Sequence, residues 1–261
     1  MLSGFLLAVD IGNTTLECGL YDEDRLVTTW RLSSRTDRTP DECWQSIVFF
    51  CRQADVDPSV LSAMALASVV PDQTRSFLKM AQSRFDRTPL VISIETCPFL
   101  EVRYTEPQQI GADRLCNAYA GYHHYGGPLI VVDFGTAVTL DVVDKDGAYL
   151  GGVILPGPRA AAQILHSRTA RLPQVSLKFP DTIIGVSSDH AIRTGITWGI
   201  VDMVDSLIDR ISAELTGKPK VIATGGIVEA FASRSRNFQR IHADLVLEGV
   251  RLLFIRTRGE R

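Results

Sequence analysis

Two short acidic turns occur at similar places in the two halves of the sequence. Asp10-Ile11-Gly12-Asn13-Thr14 follows an apolar run, and so does Asp133-Phe134-Gly135-Thr136-Ala137. Each pattern predicts a buried strand that ends in an acidic residue and then turns tightly through a glycine. A glycine turn presents backbone N–H groups, and these, with the following hydroxyl, can hold phosphate oxygens. Two such turns, each opening about half of the chain, indicate a duplicated nucleotide-binding fold with a cleft between the halves.

The carboxylate of Asp10 has a different role from the groups that follow it. Like charges repel, so a carboxylate does not bind phosphate directly; it holds a hydrated divalent cation that bridges the phosphates. The same residues are also compatible with an ordinary hairpin entry built on an Asx-type turn. The second turn at Asp133 favours the phosphate interpretation, because it repeats the chemistry at the equivalent point of the other half.

Two further glycine turns lie in the second half. Ala223-Thr224-Gly225-Gly226 follows an apolar run, and its glycines suit the nucleoside end, because only backbone fits beside an adenine ring or a ribose. Gly151–Gly157 ends a predicted hairpin. The sequence contains neither a Gly-Lys-Ser/Thr phosphate loop nor a G-x-G-x-x-G turn after a strand, which argues against P-loop and Rossmann folds.

The segment Gly111-Ala112-Asp113-Arg114 places a base beside an anion anchor, outside the two phosphate turns. In phosphoryl transfer a carboxylate typically accepts the proton of the attacking hydroxyl. An arginine can pair with a substrate carboxylate or a phosphate. The alternative is a helix N-terminus, with Asp113 in the first turn and Arg114 in solvent. Local sequence leaves both interpretations open.

The elements that would position these residues follow the same order in both halves. Periodicity and turn signals predict β-β-β-α-β-α-β in the first half, and the second half repeats the start of that order. The polar, proline-punctuated stretch 98–111 is predicted to be a loop that reaches the cleft. Predicted strands are 6–10, 15–21, 26–32, 63–70, 90–94, 129–133, 138–143, 149–155 and 220–223. Predicted helices are 41–54, 72–85, 159–169, 189–215 and 245–255.

Composition narrows the class of protein. The chain has 261 residues, 45% of them hydrophobic, with a net charge of −3 and no basic stripe, so neither nucleic acid nor a membrane is expected as a partner. Met1–Val9 is predicted to lead into the first strand rather than to be a signal peptide. The five cysteines include no C-x-x-C pair, which predicts reduced thiols and a cytoplasmic protein. His123-His124 is predicted to be structural rather than a metal site.

Taken in order and spacing, five motifs resemble type III pantothenate kinases over nearly the whole chain. They are D-I-G-N-T, G-A-D-R, D-F-G-T-A, G-G-V-I-L-P-G and A-T-G-G. That family belongs to the acetate/sugar kinase–Hsp70–actin superfamily. The resemblance implies an α/β fold of two duplicated ribonuclease-H-like (actin-like ATPase) domains, each a mixed five-stranded sheet flanked by helices, with the nucleotide cleft between them. The predicted domains are 1–118 and 119–261.

The resemblance implies ATP-dependent phosphorylation of pantothenate to 4′-phosphopantothenate, the first committed step of coenzyme A synthesis, by a cytoplasmic homodimer. Asp113 matches the general base, Asp10 lies near Mg²⁺ through water, and Asp133 matches the residue that binds a required monovalent cation, K⁺ or NH₄⁺. The matching ATP contacts are Asp10, Ile11, Gly12, Asn13, Thr14, Thr15, Leu16, Glu17, Thr136, Gly225 and Gly226. The matching pantothenate contacts are Tyr104, Gly111, Ala112, Asp113, Arg114 and Ser188.

The sequence departs from the family pattern at three places. Ser188 stands where the family has a threonine that touches pantothenate, so the hydroxyl is kept and a methyl group is lost. The asparagine that the family often has after Tyr104 is missing from Tyr104-Thr105-Glu106-Pro107. Val138 replaces a common threonine in the second phosphate segment.

Two other functions are compatible with this superfamily. One is a kinase for a sugar or a short acid, against which the G-A-D-R motif argues. The other is a non-catalytic homologue that acts as a transcription accessory factor. Such a homologue is expected to have lost a phosphate-site carboxylate or the base, whereas Asp10, Asp113 and Asp133 are all present.

Overall fold

The chain forms two compact units, each built around one β-sheet. The computed structural model describes residues 4–85, 87–169 and 171–259. One unit comprises the described residues up to His123 and those from Leu245 onward, and the other is His124–Asp244. The predicted domains 1–118 and 119–261 differ from these units in where they place the last helix, and they stay a prediction. Met1–Ser3, which the sequence joined to the first strand, lie outside the described residues.

The described residues of the first unit form five strands, three complete helices and most of a fourth helix. A 3₁₀ turn at Pro107–Gln109 interrupts the otherwise irregular stretch before the third helix. The strands are β1 (Phe5–Ile11), β2 (Thr15–Asp22), β3 (Arg25–Ser33), β4 (Leu61–Ser68) and β5 (Leu90–Val91). The helices are α1 (Pro40–Gln53), α2 (Pro71–Arg84), α3 (Ala112–Tyr125), which ends inside the second unit, and α7 (Leu245–Arg258).

The described residues of the second unit form five strands and three complete helices. Its longest helix has 27 residues. Across the described residues, no helix combines the length and the apolar character needed to cross a membrane. The strands are β6 (Leu129–Phe134), β7 (Ala137–Val143), β8 (Tyr149–Pro156), β9 (Lys220–Thr224) and β10 (Arg240–Ile241). The helices are α4 (Pro158–Arg168), α5 (Ser188–Glu214) and α6 (Val228–Ala232).

The two sheets have the same topology. The first has the strand order β3-β2-β1-β4-β5 and the second has β8-β7-β6-β9-β10. In each sheet the first three strands of the unit pair antiparallel, and the first, fourth and fifth pair parallel. The duplication predicted from the paired acidic turns is therefore confirmed, as is the α/β class with two mixed five-stranded sheets flanked by helices.

The central strand β1 is buried on both faces, which explains why its sequence is an uninterrupted apolar run. Leu7 and Val9 pack into the core formed with α1 and α2. Leu6 and Ala8 face the opposite core, to which α7 contributes Leu253. β6 contributes to the corresponding core of the second unit, which packs against α4, α5 and α6. Each acidic turn thus lies at the end of a strand whose position is fixed by packing.

Helix α1 begins where the sequence signals predict. Thr39 is the N-cap: its hydroxyl accepts a hydrogen bond from the Glu42 amide at 3.3 Å, and the Glu42 carboxylate accepts one from the Thr39 amide at 2.8 Å. Pro40 occupies the first helical position. This reciprocal capping satisfies two amides that the helix start would otherwise leave without partners.

Four elements differ from the sequence prediction by more than a shift of two or three residues at their ends. β5 has two residues rather than five, and α6 and β10, also short, were not predicted. α3 was considered only as a helix N-terminus at Asp113, although it continues to Tyr125. Eight of its fourteen residues are buried, so it lacks the polar stripe by which an amphipathic helix is recognised.

Helix α7 packs on the sheet of the first unit. The β4 residues on that face are alanines, Ala63, Ala65 and Ala67, whose small side chains let a helix approach closely. Gly249 of α7 lies against the α3 backbone, since a Cβ built on it would be 2.6 Å from the Cα of Cys116. This approach explains a glycine inside a helix, where glycine is otherwise unfavourable.

We expect Gly249→Ala to lower the free energy of unfolding by about 1–3 kcal/mol, because the added methyl group meets backbone that has to shift. Chemical denaturation of purified protein measures this. The matched control is Gly195→Ala within α5, where an added Cβ has no other atom within 4 Å. That change should leave stability unaltered or raise it by up to about 1 kcal/mol. Equal effects of the two substitutions would contradict the packing described for Gly249.

Candidate active site

The first acidic turn joins the end of β1 to the start of β2. Asp10 is paired with Glu17 in β2 and with Ala67 in β4. The Gly12 amide donates to the Thr15 carbonyl at 3.0 Å and closes the turn. Gly12 and Thr14 are partly exposed and Asn13 is exposed. The turn therefore presents backbone and polar side chains to solvent beside the Asp10 carboxylate, as its sequence predicts.

Three side chains of the predicted segment 10–17 are not available as phosphate ligands. Ile11 and Leu16 are fully buried in the core of the first unit, so any contact that they make with a nucleotide uses their backbone. The carboxylate of Glu17 forms an ion pair with Arg31 at 2.7 Å, across β2 and β3. That leaves the glycine turn and Asp10 as the reactive part of the segment.

Asp113 lies in the first turn of α3, and Gly111 immediately precedes that helix. The Asp113 carboxylate accepts a hydrogen bond from the Arg114 amide at 2.8 Å. A Cβ built on Gly111 would collide with the same carboxylate oxygen of Asp113, so any other residue at this position would displace that carboxylate. Asp113 is partly exposed. The structure thus places Asp113 at a helix start and leaves its carboxylate partly exposed.

The ends of β1 and β4 connect the two motifs of the first unit. The Val69 amide, just after β4, donates to the Ile11 carbonyl at 3.1 Å. The Val69 side chain lies 3.6 Å from a Cβ built on Gly111. Val69 therefore lies next to both Ile11 and Gly111, the neighbours in sequence of the two motifs.

Asp10 and Asp113 both act electrostatically on one buried thiol, that of Cys116. The Cys116 thiol has its pKa raised well above the usual value, chiefly by burial and further by the negative charges of Asp10 and then Asp113. A carboxylate exerts such an effect only when it is nearby. The structure therefore brings the predicted cation-binding residue and the predicted base to the same region of the first unit. Cys116 itself is fully buried and remains protonated.

The other predicted pantothenate contacts lie in different settings. Arg114 is 8% exposed in the first turn of α3, rather than solvated as one interpretation of the sequence expected, and Ala112 beside it is also buried. Tyr104 is 38% exposed and lies in the irregular stretch before α3, which was predicted to be a loop. Ser188 is exposed at the start of α5 in the second unit.

In the second unit, three glycine turns converge on Asp133. The Gly135 amide closes the acidic turn by donating to the Ala137 carbonyl at 3.0 Å, and the Gly157 amide donates to the Thr136 carbonyl at 3.1 Å. Gly225 has a φ of +102°, and a Cβ on it would lie 2.5 Å from the Oδ1 atom of Asp133. The sequence predicts a nucleoside contact for the Gly225 turn and only the end of a hairpin for Gly157, and the fold brings both turns to the Asp133 turn.

The oxygen atoms around Asp133 come from neighbouring strands. Asp133 is paired with Thr139 in β7 and with Thr224 in β9. Thr136 and Gly226 are exposed in the turns beside it. Paired residues on adjacent strands project from the same face of the sheet, so two threonine hydroxyls lie on the face that carries this carboxylate.

The sequence interpretation missed Asp141 on the same face of β7. Asp141 is fully buried, and its carboxylate accepts hydrogen bonds from the Tyr149 hydroxyl at 2.9 Å and from the Thr139 hydroxyl at 3.1 Å. It therefore orients Thr139, the cross-strand partner of Asp133. The sequence signal for this residue is an acidic side chain inside an otherwise largely apolar strand, which indicates a buried polar contact.

Comparison with known proteins identifies the family of this chain. The family model described as type III pantothenate kinase matches residues 6–210. A type III pantothenate kinase of Acidiphilium cryptum is 39% identical over 250 residues, covering 96% of this chain and 94% of that protein. One of Geobacter sulfurreducens is 38% identical over 253 residues, covering 97% and 99%.

Similarity of structure extends to more distant proteins. The activator of the 2-hydroxyisocaproyl-CoA dehydratase from Clostridium difficile, solved with bound ADPNP, superposes with a TM-score of 0.56 at 14% identity and covers 98% of this chain and 96% of that one. At that identity the likeness concerns the fold alone. The sequence matches are closer and extend over nearly the full length, and they show that this chain belongs to the type III pantothenate kinase family.

Proposed function

We propose that this protein transfers the γ-phosphoryl group of ATP to the 4′-hydroxyl of pantothenate and forms 4′-phosphopantothenate, the first committed step of coenzyme A synthesis. The observation that carries the proposal is the full-length family match combined with the placement of Asp10 and Asp113 around Cys116. A kinase of this family uses ATP with a divalent metal ion.

Asp10 is proposed to hold that divalent cation through water. The residues present fit such an ion, because the Asp10 carboxylate lies at the end of a strand beside an exposed glycine turn. Glu17, its cross-strand neighbour, forms an ion pair with Arg31, so Asp10 is the carboxylate of this segment assigned to the cation. When bound, Mg²⁺ neutralises charge on the β- and γ-phosphate oxygens. Asn13 and Thr14 of that turn are proposed to contact the same oxygens, since the Gly12 amide donates to the Thr15 carbonyl.

Asp113 is proposed to be the general base. It accepts the proton of the pantothenate hydroxyl as that oxygen attacks the γ-phosphorus, and the partly exposed carboxylate of the first turn of α3 supports this role. Arg114 is proposed to fix the anionic end of the acceptor. Tyr104, Gly111, Ala112 and Ser188 are proposed as further pantothenate contacts.

Asp133 is proposed to bind the monovalent cation, K⁺ or NH₄⁺. The support is an oxygen-rich surrounding, in which Thr139 and Thr224 are its cross-strand neighbours and Gly225 leaves the carboxylate uncrowded. Alkali and alkaline-earth cations prefer oxygen ligands of this kind. Thr136, Gly225 and Gly226 are proposed to contact ATP.

The protein is proposed to act as a homodimer in the cytoplasm. Support for self-association comes from the segment before α5, where Ile183, Ile184 and Val186 are 61%, 82% and 90% exposed. Apolar side chains concentrated at one place on a surface mark interaction sites. The segment directly precedes Ser188, a proposed pantothenate contact, so a second copy bound there would lie beside that residue.

The two alternative functions have less support. A kinase for a sugar or a short acid would have no reason to retain the Gly111–Arg114 motif. A non-catalytic transcription accessory factor would be free to lose Asp10, Asp113 or Asp133, and none has been lost.

The test of the proposed function is ADP release by the purified protein, measured with and without pantothenate and in K⁺ or Na⁺ buffer. We expect ADP release that requires pantothenate and is faster in K⁺. A panel of sugars and short acids serves as the control. Turnover with a panel member but not with pantothenate would reject this acceptor, and absence of turnover with every acceptor would favour the non-catalytic alternative.

Asp113→Asn should lower kcat by about 10²–10⁴-fold with little change in the KM for ATP, because the amide cannot accept the hydroxyl proton. Steady-state kinetics at saturating pantothenate measure this. Asp72→Asn is the matched control, since Asp72 is an acidic residue in the first turn of α2. Near-wild-type turnover of Asp113→Asn would show that the base is another group.

Asp133→Ala should lower activity and abolish or weaken its dependence on K⁺, because the carboxylate that neutralises the cation is removed. The measurement is a K⁺ titration of the initial rate at constant ionic strength. Asp146→Ala, in the exposed turn between β7 and β8, is the control. A normal rate that still depends on K⁺ would place the cation elsewhere.

A further inference from the structure

Residues from both connections between the units meet inside the second unit. The chain enters this unit at His124 and leaves it after Asp244. The Tyr125 hydroxyl and the Nδ1 atom of His242 are hydrogen bonded at 3.0 Å. The ring of His124 lies 5.3 Å from that of His242, centroid to centroid. None of these three residues belongs to the site proposed above.

Tyr125 is also attached to the central part of the second sheet. The side-chain ammonium group of Lys220, the first residue of β9, donates a hydrogen bond to the Tyr125 carbonyl. The backbone and the side chain of Tyr125 thus bind two different segments, the start of β9 and the residues that follow β10. The tyrosine is therefore fixed at both ends.

His242 is in turn aligned with the far end of β9. Its amide donates to the Ala223 carbonyl at 2.9 Å. One residue further on, the Thr224 hydroxyl donates to the Ala243 carbonyl at 3.3 Å. Thr224 immediately precedes Gly225, whose Cα hydrogen is directed at the Asp133 carboxylate. A continuous series of contacts therefore leads from the Tyr125 hydroxyl to the Asp133 turn.

The segment around His242 is held to β9 by a short parallel pairing, which begins where the Gln239 amide donates to the Val221 carbonyl at 3.0 Å. Strand β10 has two residues and both are exposed. Because a short edge strand contributes few ladder hydrogen bonds, a side-chain bond that anchors it has a comparatively large effect on its position.

We infer that Tyr125 and His242 are positioning residues for the nucleotide side of the site. Their hydrogen bond holds residues 242–243 against Ala223 and Thr224, and this contact, together with the pairing of Thr224 with Asp133, positions Gly225 beside the Asp133 carboxylate. The inference rests on the proposed function for the role of Gly225 and Asp133. Neither Tyr125 nor His242 is inferred to contact a substrate.

The test compares two substitutions with two controls. Tyr125→Phe removes one hydroxyl and keeps the ring, and His242→Leu removes the ring nitrogen to which that hydroxyl is bonded. Tyr122→Phe removes a hydroxyl from the same helix three residues earlier. His242→Asn is the conservative variant, since the asparagine amide can place a polar atom near the position of Nδ1.

The measurements are KM for ATP and for pantothenate, kcat, the melting temperature, and the Kd of a fluorescent ATP analogue without pantothenate. Loss of one neutral hydrogen bond corresponds to about a threefold to tenfold change in an equilibrium. We expect Tyr125→Phe and His242→Leu to raise the KM for ATP and the analogue Kd by that factor, with the pantothenate KM unchanged. His242→Asn should lie closer to wild type than His242→Leu, and Tyr122→Phe should match wild type.

A lower melting temperature with unchanged ATP KM and analogue Kd would show a merely structural role and overturn the inference. Equal increases in both KM values would do the same. If His242→Leu fails to fold, Tyr125→Phe and His242→Asn still decide the question. If wild type binds the analogue but does not use pantothenate, the proposed acceptor fails, whereas the analogue Kd still tests the positioning role.

Discussion

The candidate site depends on a single steric constraint, the close approach of a glycine to a carboxylate. It occurs in each unit, at Gly111 beside Asp113 and at Gly225 beside Asp133. A methyl group at either glycine would occupy the space that the carboxylate oxygen needs. At Gly225 the backbone of Phe134 also blocks a side chain, whereas at Gly111 a side chain would displace the Asp113 carboxylate itself. In both places the missing side chain leaves room for the negative charge.

The duplicated sheets place these carboxylates differently. In the first unit the strand-end Asp10 and the helix-start Asp113 are separate groups that both act on Cys116. In the second unit the strand-end Asp133 is itself the residue against which the glycine packs. The equivalent strands thus give both units the same sheet. The two units differ chemically because the segments that follow β4, β5 and β9 place different groups beside the acidic turns.

Much of the fold was predictable where the signal is local. The capping box at Thr39 and the apolar run of β1 each predict their element without knowledge of the rest of the chain. α3 was missed beyond its first turn because it is buried on most sides, and β10 because two residues paired with β9 carry no pattern of their own. The same limit applies to the site. Asp10 and Asp133 follow recognisable strands, whereas Asp141 and the Tyr125–His242 pair acquire their roles from residues that the fold alone brings near.

The packing of α7 on the first sheet has a consequence for the order in which the protein can fold during synthesis. The alanine face of β4 and the neighbouring residues of β1 are covered by a helix that the ribosome makes only after the whole of the second unit. The first unit therefore cannot complete its core as it emerges, although domains generally fold in the order in which they are made. Until α7 arrives, that face of the sheet is covered only in part, by α3 and the residues that follow β5, and the second unit is the one that can finish first.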